Sequence, residues 1–597
     1  MQVRREIDGL RAAAVMPVVC FHAGLPPFRG GFVGVDVFFV VSGYLITSII
    51  LAECEAGSFS LMGFYERRAR RILPALFAVM LACVPFSWLW MMPEEYKSFG
   101  QSLVATTAFS NNVLLWLTSG YFSLANEFKP LVHTWSLGVE EQFYLVFPVF
   151  LLGLLRLPPN WRGCGLMLIG AGSFALSVWL GPRDPIASFF LLPTRLWELL
   201  LGACVPVCRT ALDPIFRPSA ATAQVGSLCG LFLIAYAVLQ FDAGTPYPGV
   251  YTLVPTLGTL LILLYGTPET YVGHLLAHRW LVGLGLISYS VYLWHQPLFA
   301  FARLVSLDEP HPTLMLALVA ASVVLGAVSW RFIEQPFRDR RRVVSARLTA
   351  AAVITGGALA SMGLVLHVNG GFLRSWPEYV IAAGRDLNAA YNDAAFAYKD
   401  RPFEDGKHHK VLVLGNSFAR DFINAALANG YFSDSALSYS DDVPMCLHSA
   451  DQIALGLRKR IQQADYVIFG SPTIALSCWR TDFAHLQALG AKSLIVIGTK
   501  NFGRNNNAIV RLPAKQRFGY RARVLEEVWL DNKEFAAALP SHIFIDVLAL
   551  LADENGRVPV FTEDGRFISP DTKHLTRDGA LFLGKLLFEQ PPLQSLK

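Results

Sequence analysis

Apolar residues dominate the first two thirds of the chain in long blocks, separated by short polar turns. The blocks run at about residues 10–24, 35–53, 73–93, 138–156, 164–181, 187–207, 224–240, 249–266, 283–304, 312–332 and 347–367. Several are near the ~20 residues a helix needs to cross a ~30 Å hydrocarbon core. The stretch 95–137 is mixed and predicts no clear span. From about residue 410 the pattern changes to short β-branched runs, "KVLVLG" (410–415), "YVIFG" (466–470), "SLIVIG" (493–498) and "HIFIDV" (542–547), with helix-like stretches between them. That alternation predicts a doubly wound α/β domain around a parallel sheet. The expected fold is therefore a polytopic α-helical membrane domain of about 11 transmembrane helices followed by an α/β domain. Its parts are 1–335, a basic loop and last span at 336–368, a linker or extension at 369–409, and the α/β domain at 410–597.

Composition agrees. Of 597 residues, 53% are hydrophobic and 16% charged, where soluble domains carry roughly 25% charged residues. The net charge of +5 is small and scattered, so nucleic acid is not an expected partner and membrane lipid is. Two basic loops, "ERRARR" (66–71) and "FRDRRR" (337–342), fall on one side of the membrane. Positive loops stay inside, so the N-terminus is expected in the cytoplasm. Eleven crossings then place everything after residue 368 outside, as for a bacterial inner-membrane protein with a periplasmic domain. Of nine cysteines, seven lie in apolar segments or their short connections. The other two, Cys446 and Cys478, are a possible disulfide in an extracytoplasmic domain. No C-x-x-C spacing or other zinc or redox signature occurs, and no metal is expected.

In the C-terminal third, "VLVLGNSFARDF" puts Ser417 where a strand ends and a helix begins. There the hydroxyl sits at the carboxyl edge of the sheet, and the helix N-terminus offers N–H groups to an oxyanion. Near the end, "SPDTKHLTRDGA" sets Asp571 three residues before His574, close enough for the carboxylate to orient an imidazole. A strand–Gly-x-Ser–helix turn alone is more often a cap or phosphate cradle. The two motifs together, at opposite ends of one α/β domain, favour a nucleophilic serine.

The first block, "EIDGLRAAAVMPVVCFHAG" (6–24), has the length and flanks of a cleavable signal. Yet Arg11 and His22 share one helix face, about 16 Å apart along the axis, and an uncleaved first span is expected. Ionisable residues within spans are costly and usually functional. Here they include Asp36, His133, Glu140, Glu141 and Tyr144 in "HTWSLGVEEQFYL", Arg195 and Glu198 in "PTRLWELLLG", His295, Arg331 and Glu334. Single buried histidines are usually interhelical hydrogen bonders, and basic loops usually only topology signals. Here, however, the arginines of "YERRARRILP" start a span, where guanidiniums can grip phosphate bidentately.

Taken in order, Arg11-x10-His22, "GGFVGVDVFFVVSGYLIT", "FYERRARRILP", "HTWSLGVEEQFYL", "SYSVYLWHQP" and "FIEQPFR" resemble the acyltransferase-3 family of membrane O-acyltransferases. The Ser417 and Asp571/His574 blocks resemble the SGNH (GDSL-like) hydrolases, with Asn416 where that family has Asp. The resemblance implies O-acetylation of an extracytoplasmic carbohydrate (O-antigen, exopolysaccharide or peptidoglycan) with acetyl-CoA as donor. It implies His22 as catalytic residue, with Arg11, Arg68 and Arg71 on the CoA phosphates. In the SGNH part it implies Ser417 as nucleophile, His574 as base and Asp571 as its orienting carboxylate, and Gly470 is a candidate oxyanion donor. A membrane-tethered carbohydrate esterase and a solute transporter are the alternatives left open.

Overall fold

The computed structural model describes residues 4–118, 126–208, 218–372, 391, 393–441, 453–470 and 476–597. The chain divides into two compact units, Met1–Leu373 and Arg374–Lys597.

In the first unit every predicted apolar block is helical: α1 Arg5–His22, α2 Gly34–Glu55 and α3 Leu61–Trp90, then α4 Pro93–Thr107 and α5 Asn111–Thr118 in the mixed stretch, then α6 Thr134–Leu154, α7 Pro159–Leu180, α8 Pro185–Phe190, α9 Leu192–Val207, α10 Ala220–Gln240, α11 Leu253–Tyr265, α12 Tyr271–Leu276, α13 Arg279–Val305, α14 Pro312–Ser329, α15 Gln335–Arg338 and α16 Ser345–Val368. Among the described residues, eight helical segments are long and apolar enough to cross a membrane. The segments over the first and ninth predicted blocks, α1 and α13, are not among these eight, and α11 is too short. The reason is chemical: α1 opens with Arg5, Glu6, Asp8 and Arg11, and α13 carries Ser288, Tyr289, Ser290, Tyr292, His295 and Gln296. The block predicted at 187–207 is broken at Leu191, whose extended backbone (ψ 141°) precedes Pro193 in the first turn of α9.

Helices α1 and α13 pack on each other, as do α2 and α9. The latter approach is close. A Cβ on Gly43 would lie 1.8 Å from the Leu199 carbonyl oxygen, and one on Gly202 would lie 1.9 Å from that of Val40. Without an apolar–aqueous contrast to drive association, such small-residue contacts are what lets membrane helices pack.

In the second unit the described residues hold a parallel sheet of β1 His409–Gly415, β2 Ser435–Ser440, β3 Tyr466–Gly470, β4 Ser493–Ile497 and β6 Phe544–Ile545, in the order β2-β1-β3-β4-β6. Strands β5 Arg521–Arg523 and β7 Arg557–Pro559 form a separate antiparallel pair. Val411 and Val413 enter one apolar core while Leu412 and Leu414 enter the other, so helices cover both faces. That is why the strands read as continuous apolar runs. Two expectations are corrected. Strand β2, "SALSYS", was not predicted, because its serines hide an alternation that is buried throughout most of its length. The strand predicted at 542–547 shrinks to two residues, because Asp546 caps the next helix by accepting from the Ala549 N–H.

Candidate functional site

Each unit carries a polar constellation. In the first, α1, α2, α3, α6 and α13 enclose a cavity of about 260 Å³. Its walls include the apolar residues Phe38, Phe39, Leu45 and Ile46, and against them stand Arg11, Arg68 and Arg71 with Glu140 and Tyr144. The helix repeat sorts the arginines of "ERRARR". Arg68 and Arg71, three apart, face the cavity. Arg67 pairs with Glu53 at 2.8 Å. Arg70 is buried and donates to Glu66 and to the carbonyls of Phe337 (3.0 Å) and Val343 (2.6 Å), tying α3 to the second basic loop. The cavity cations have few partners. Arg11 lies 3.5 Å from Asp8, and the buried Arg68 Nε has no hydrogen-bond partner. Glu140 accepts from Ser42 at 2.8 Å, and a buried oxygen of Glu141 has none. Buried polar groups are normally satisfied, so the bare Arg68 Nε, with Arg11 and Arg71 beside it, gives this cavity three cationic donors against two lining carboxylates, Asp8 and Glu140.

His22 is not among the residues that line this cavity, and a chain of contacts links it to the wall. Tyr292 and Ser136 line the cavity and bond to each other at 2.7 Å. Tyr292 also donates to the His133 carbonyl at 2.9 Å, and its own carbonyl meets His295 Nδ1 at 2.5 Å. His295 Nε2 then lies 3.0 Å from His22 Nδ1. His133 and His295 are buried, whereas His22 is half-buried.

Asp36, Arg195 and Glu198 form a separate, fully buried cluster. Arg195 donates to Asp36 at 2.6 Å and lies 3.2 Å from Glu198, and Tyr247 donates to Asp36 at 2.5 Å. The rings of Phe39, Trp135, Phe189 and Tyr247 surround the guanidinium. None of the three ionisable residues lines the cavity. Glu334 is fully buried in a π-turn, Trp330–Glu334, where it accepts from Ser290 and from Arg338. Arg331 is exposed.

In the second unit β1 feeds α17, Ser417–Ala428, at the point where the sheet order reverses between β1 and β3. Binding sites of doubly wound sheets lie there. Gly415 has φ +130° and a Cβ there would lie 2.1 Å from the Gly470 carbonyl oxygen; one on Gly470 would lie 2.9 Å from Ala419 Cα and N. These glycines let the start of α17 sit directly on the strand ends. His574 Nε2 lies 3.0 Å from Ser417 Oγ, and His574 Nδ1 lies 2.6 Å from Asp571 Oδ2. Asp571 Oδ1 accepts from the backbone N–H groups of Lys573 (3.0 Å) and His574 (2.8 Å). Burial pushes the Asp571 carboxyl up, but the hydrogen bonds from the His574 ring and backbone outweigh it and leave it below the usual range. An ionised carboxylate only accepts, so Nδ1 carries the hydrogen and Nε2 presents its lone pair to the serine hydroxyl. This is the arrangement of a serine nucleophile.

Sequence reading missed the support beneath it. Asp421, one turn after Ser417, takes Lys500 Nζ at 2.8 Å and the Leu575 N–H at 3.2 Å, and Lys500 Nζ sits 3.5 Å from the Phe418 ring centre. Burial pushes the Asp421 carboxyl up and the Lys500 ammonium down. Gly470 ends β3 beside Gly415, and the residues after it, 471–475, lie outside the described residues. So does Cys446 and with it the expected Cys446–Cys478 disulfide. Among the described residues no cluster of His, Cys, Asp and Glu has metal-binding geometry.

The model of the family described as "Acyltransferase domain" matches residues 4–333. The peptidoglycan O-acetyltransferase OatA of Listeria monocytogenes is 33% identical over 348 residues, covering 56% of this chain and 55% of that protein. A putative O-acetyltransferase of Staphylococcus aureus is 32% identical over 57% of this chain and 58% of its own length. A putative peptidoglycan O-acetyltransferase of Bacillus subtilis is 30% identical over 56% and 55%. The chain thus spans about half the length of the curated relatives it matches. No solved structure matches it significantly. The family match covers the first unit as far as residue 333, including its arginine-lined cavity and its line of histidines, and the chain belongs to the Acyltransferase domain family.

Proposed function

We propose that the chain is a membrane O-acetyltransferase that moves an acetyl group from cytoplasmic acetyl-CoA to hydroxyls of an extracytoplasmic polysaccharide, in a bacterial inner membrane with the N-terminus inside. The observation that carries this reading is the cavity. Three guanidiniums face two lining carboxylates, Asp8 and Glu140, against an apolar wall, and a wall residue of the same cavity, Tyr292, is linked through His295 to His22. Arg11, Arg68 and Arg71 suit the phosphates of CoA. The CoA moiety is too highly charged to cross a bilayer, whereas its acetyl group is small and neutral. His22 acts in acyl transfer, and the second unit, read as an SGNH-type domain, receives the acetyl group on Ser417 and passes it to the sugar. His574 is the base there and Asp571 its orienting carboxylate, with the Gly470 region as a candidate oxyanion donor. The relatives' names favour peptidoglycan as acceptor over O-antigen or exopolysaccharide.

The test is the acetyl content of cell-surface glycans, measured by mass spectrometry in a deletion strain complemented with wild type, His22→Ala or Ser417→Ala. Both variants are expected to abolish acetylation. Persistent acetylation with His22→Ala sinks the transferase reading. A rise in acetyl content with Ser417→Ala supports instead a tethered esterase, since the Ser417–His574–Asp571 line is equally fit for hydrolysis.

A further inference from the structure

We propose that His295 is a positioning residue that fixes the tautomer of His22, placing the hydrogen of His22 on Nδ1 and leaving Nε2 bare for acyl transfer. This rests on the transferase reading of His22.

The argument starts at a carbonyl. His295 Nδ1 lies 2.5 Å from the Tyr292 oxygen one turn earlier on α13, and a carbonyl oxygen only accepts. Nδ1 of His295 therefore carries hydrogen. In a neutral imidazole the other nitrogen is then an acceptor. Its partner at 3.0 Å is His22 Nδ1, which must donate. With its hydrogen on Nδ1, neutral His22 has its lone pair on Nε2. The rings are held in place: His22 and His295 lie nearly coplanar, edge to edge, with centroids 5.1 Å apart and planes 20° apart, and His133 packs edge-on against His295 at 5.4 Å. Arg303 Nη2 donates to the His22 carbonyl at 2.6 Å, fixing the end of α1. Among the described residues, the histidines that pair with a carboxylate are His408 and His574. The orienter of His22 is thus a neutral ring backed by a carbonyl.

The consequence is chemical. As base, His22 Nε2 takes the proton of the attacking hydroxyl while that oxygen bonds to the acetyl carbonyl carbon. The C–S bond to CoA breaks, and the proton passes to the departing sulfur, giving an ester and free thiol. While His22 is protonated, its Nδ1–H still points at an acceptor, which stabilises the cation. A donor at His295 Nε2 would instead oppose it.

The experiment uses full-length protein with 15N-labelled histidine in lipid nanodiscs, with the His22 signals assigned by their loss in His22→Gln. Solid-state NMR is expected to show a protonated Nδ1 and a bare Nε2 at His22. In His295→Leu that preference is expected to be lost, and release of CoA thiol from acetyl-CoA with chitotetraose as acceptor to fall at least 100-fold. His295→Gln, whose amide oxygen can accept near the position of Nε2, is expected to keep the tautomer and at least a tenth of the rate. A wild-type His22 protonated on Nε2, or equal losses in the Leu and Gln variants, overturns the proposal. Absence of thiol release from wild type with the expected tautomer intact counts against the transferase reading and leaves the positioning role standing.

Discussion

Lys500→Met tests whether the buried pair beneath the serine site is structural support for it. Lys500 and Asp421 are each about 5% exposed and 2.8 Å apart. The substitution preserves the aliphatic stem of the side chain but leaves the Asp421 carboxylate buried with the Leu575 N–H still donating to it and no cation beside it. Breaking a buried pair from one side costs about 3–5 kcal/mol, far above the ~0–1 kcal/mol of an exposed pair. At ~1.4 kcal/mol per factor of ten, amide protection should fall by about two to three and a half orders of magnitude in the elements the pair joins. Those elements are α17 and the loop after β4. Hydrogen exchange of the full chain, read by mass spectrometry on peptides covering 417–428 and 493–502, measures this. Adding Asp421→Asn should restore at least a factor of ten, because a neutral amide oxygen still accepts from Leu575 and no bare charge remains. Protection in Lys500→Met within threefold of wild type, or a double variant no better than the single one, refutes the reasoning.

Other outcomes follow from the same geometry. Arg68→Gln removes one charge-assisted donor to phosphate, worth about 1.5–3 kcal/mol, so the KM for acetyl-CoA should rise roughly 10- to 150-fold; steady-state thiol release checks it. Asp571→Asn frees the His574 tautomer and should slow labelling of Ser417 by a fluorophosphonate about 10²- to 10⁴-fold, while Ser417→Ala abolishes labelling. Gly470→Ala sets a methyl 2.9 Å from the backbone of Ala419; it should destabilise the second unit by about 1–3 kcal/mol and slow the same labelling. The Asp571 carboxyl, held below its ordinary value of 3.8, contributes stability that is present above about pH 4 and lost as pH falls through its lower folded value. Acid unfolding of Asp571→Asn should therefore lack that part of the slope.

What the sequence made legible follows from what each feature costs. Membrane blocks announce themselves because lipid tolerates no long polar run, and every predicted block is helical, the one at 187–207 as two helices. Helices α1 and α13, which carry His22 and His295, are ones whose apolar signal is diluted by their own polar residues. Arg11, Arg68 and Arg71 were visible as charges out of place, but the i,i+3 repeat only sorts the four arginines of the loop into two pairs, Arg67/Arg70 and Arg68/Arg71; the family resemblance, not the spacing, pointed to the second pair. Ser42, Ser136, Tyr289 and Tyr292 were not, since hydroxyls are ordinary in helices and only packing shows which ones face a cavity. Asp36 and Arg195 stand 159 positions apart, and Asp421 and Lys500 belong to different elements. No local spacing predicts such pairs. The Ser417 and Asp571–His574 blocks were readable because a strand-to-helix turn and a three-residue spacing are local rules.

The two histidine sites meet one requirement under different constraints. Each needs hydrogen on Nδ1 and a lone pair on Nε2. In the second unit a carboxylate supplies this for His574, and it is affordable because Asp571 is two-fifths exposed at its side chain and takes two backbone N–H bonds. At His22, on a helix packed against α13, a carboxylate behind the ring would be a charge stranded in an apolar interior, costing several kcal/mol unless fully paired. A neutral imidazole anchored on a backbone carbonyl sets the same tautomer with no net charge. On this reasoning, replacing His295 with Asp should not improve on His295→Gln. Thiol release from acetyl-CoA faster in His295→Asp than in His295→Gln would show that His22 needs an anion behind it, and that the carbonyl-anchored ring is not the orienting device.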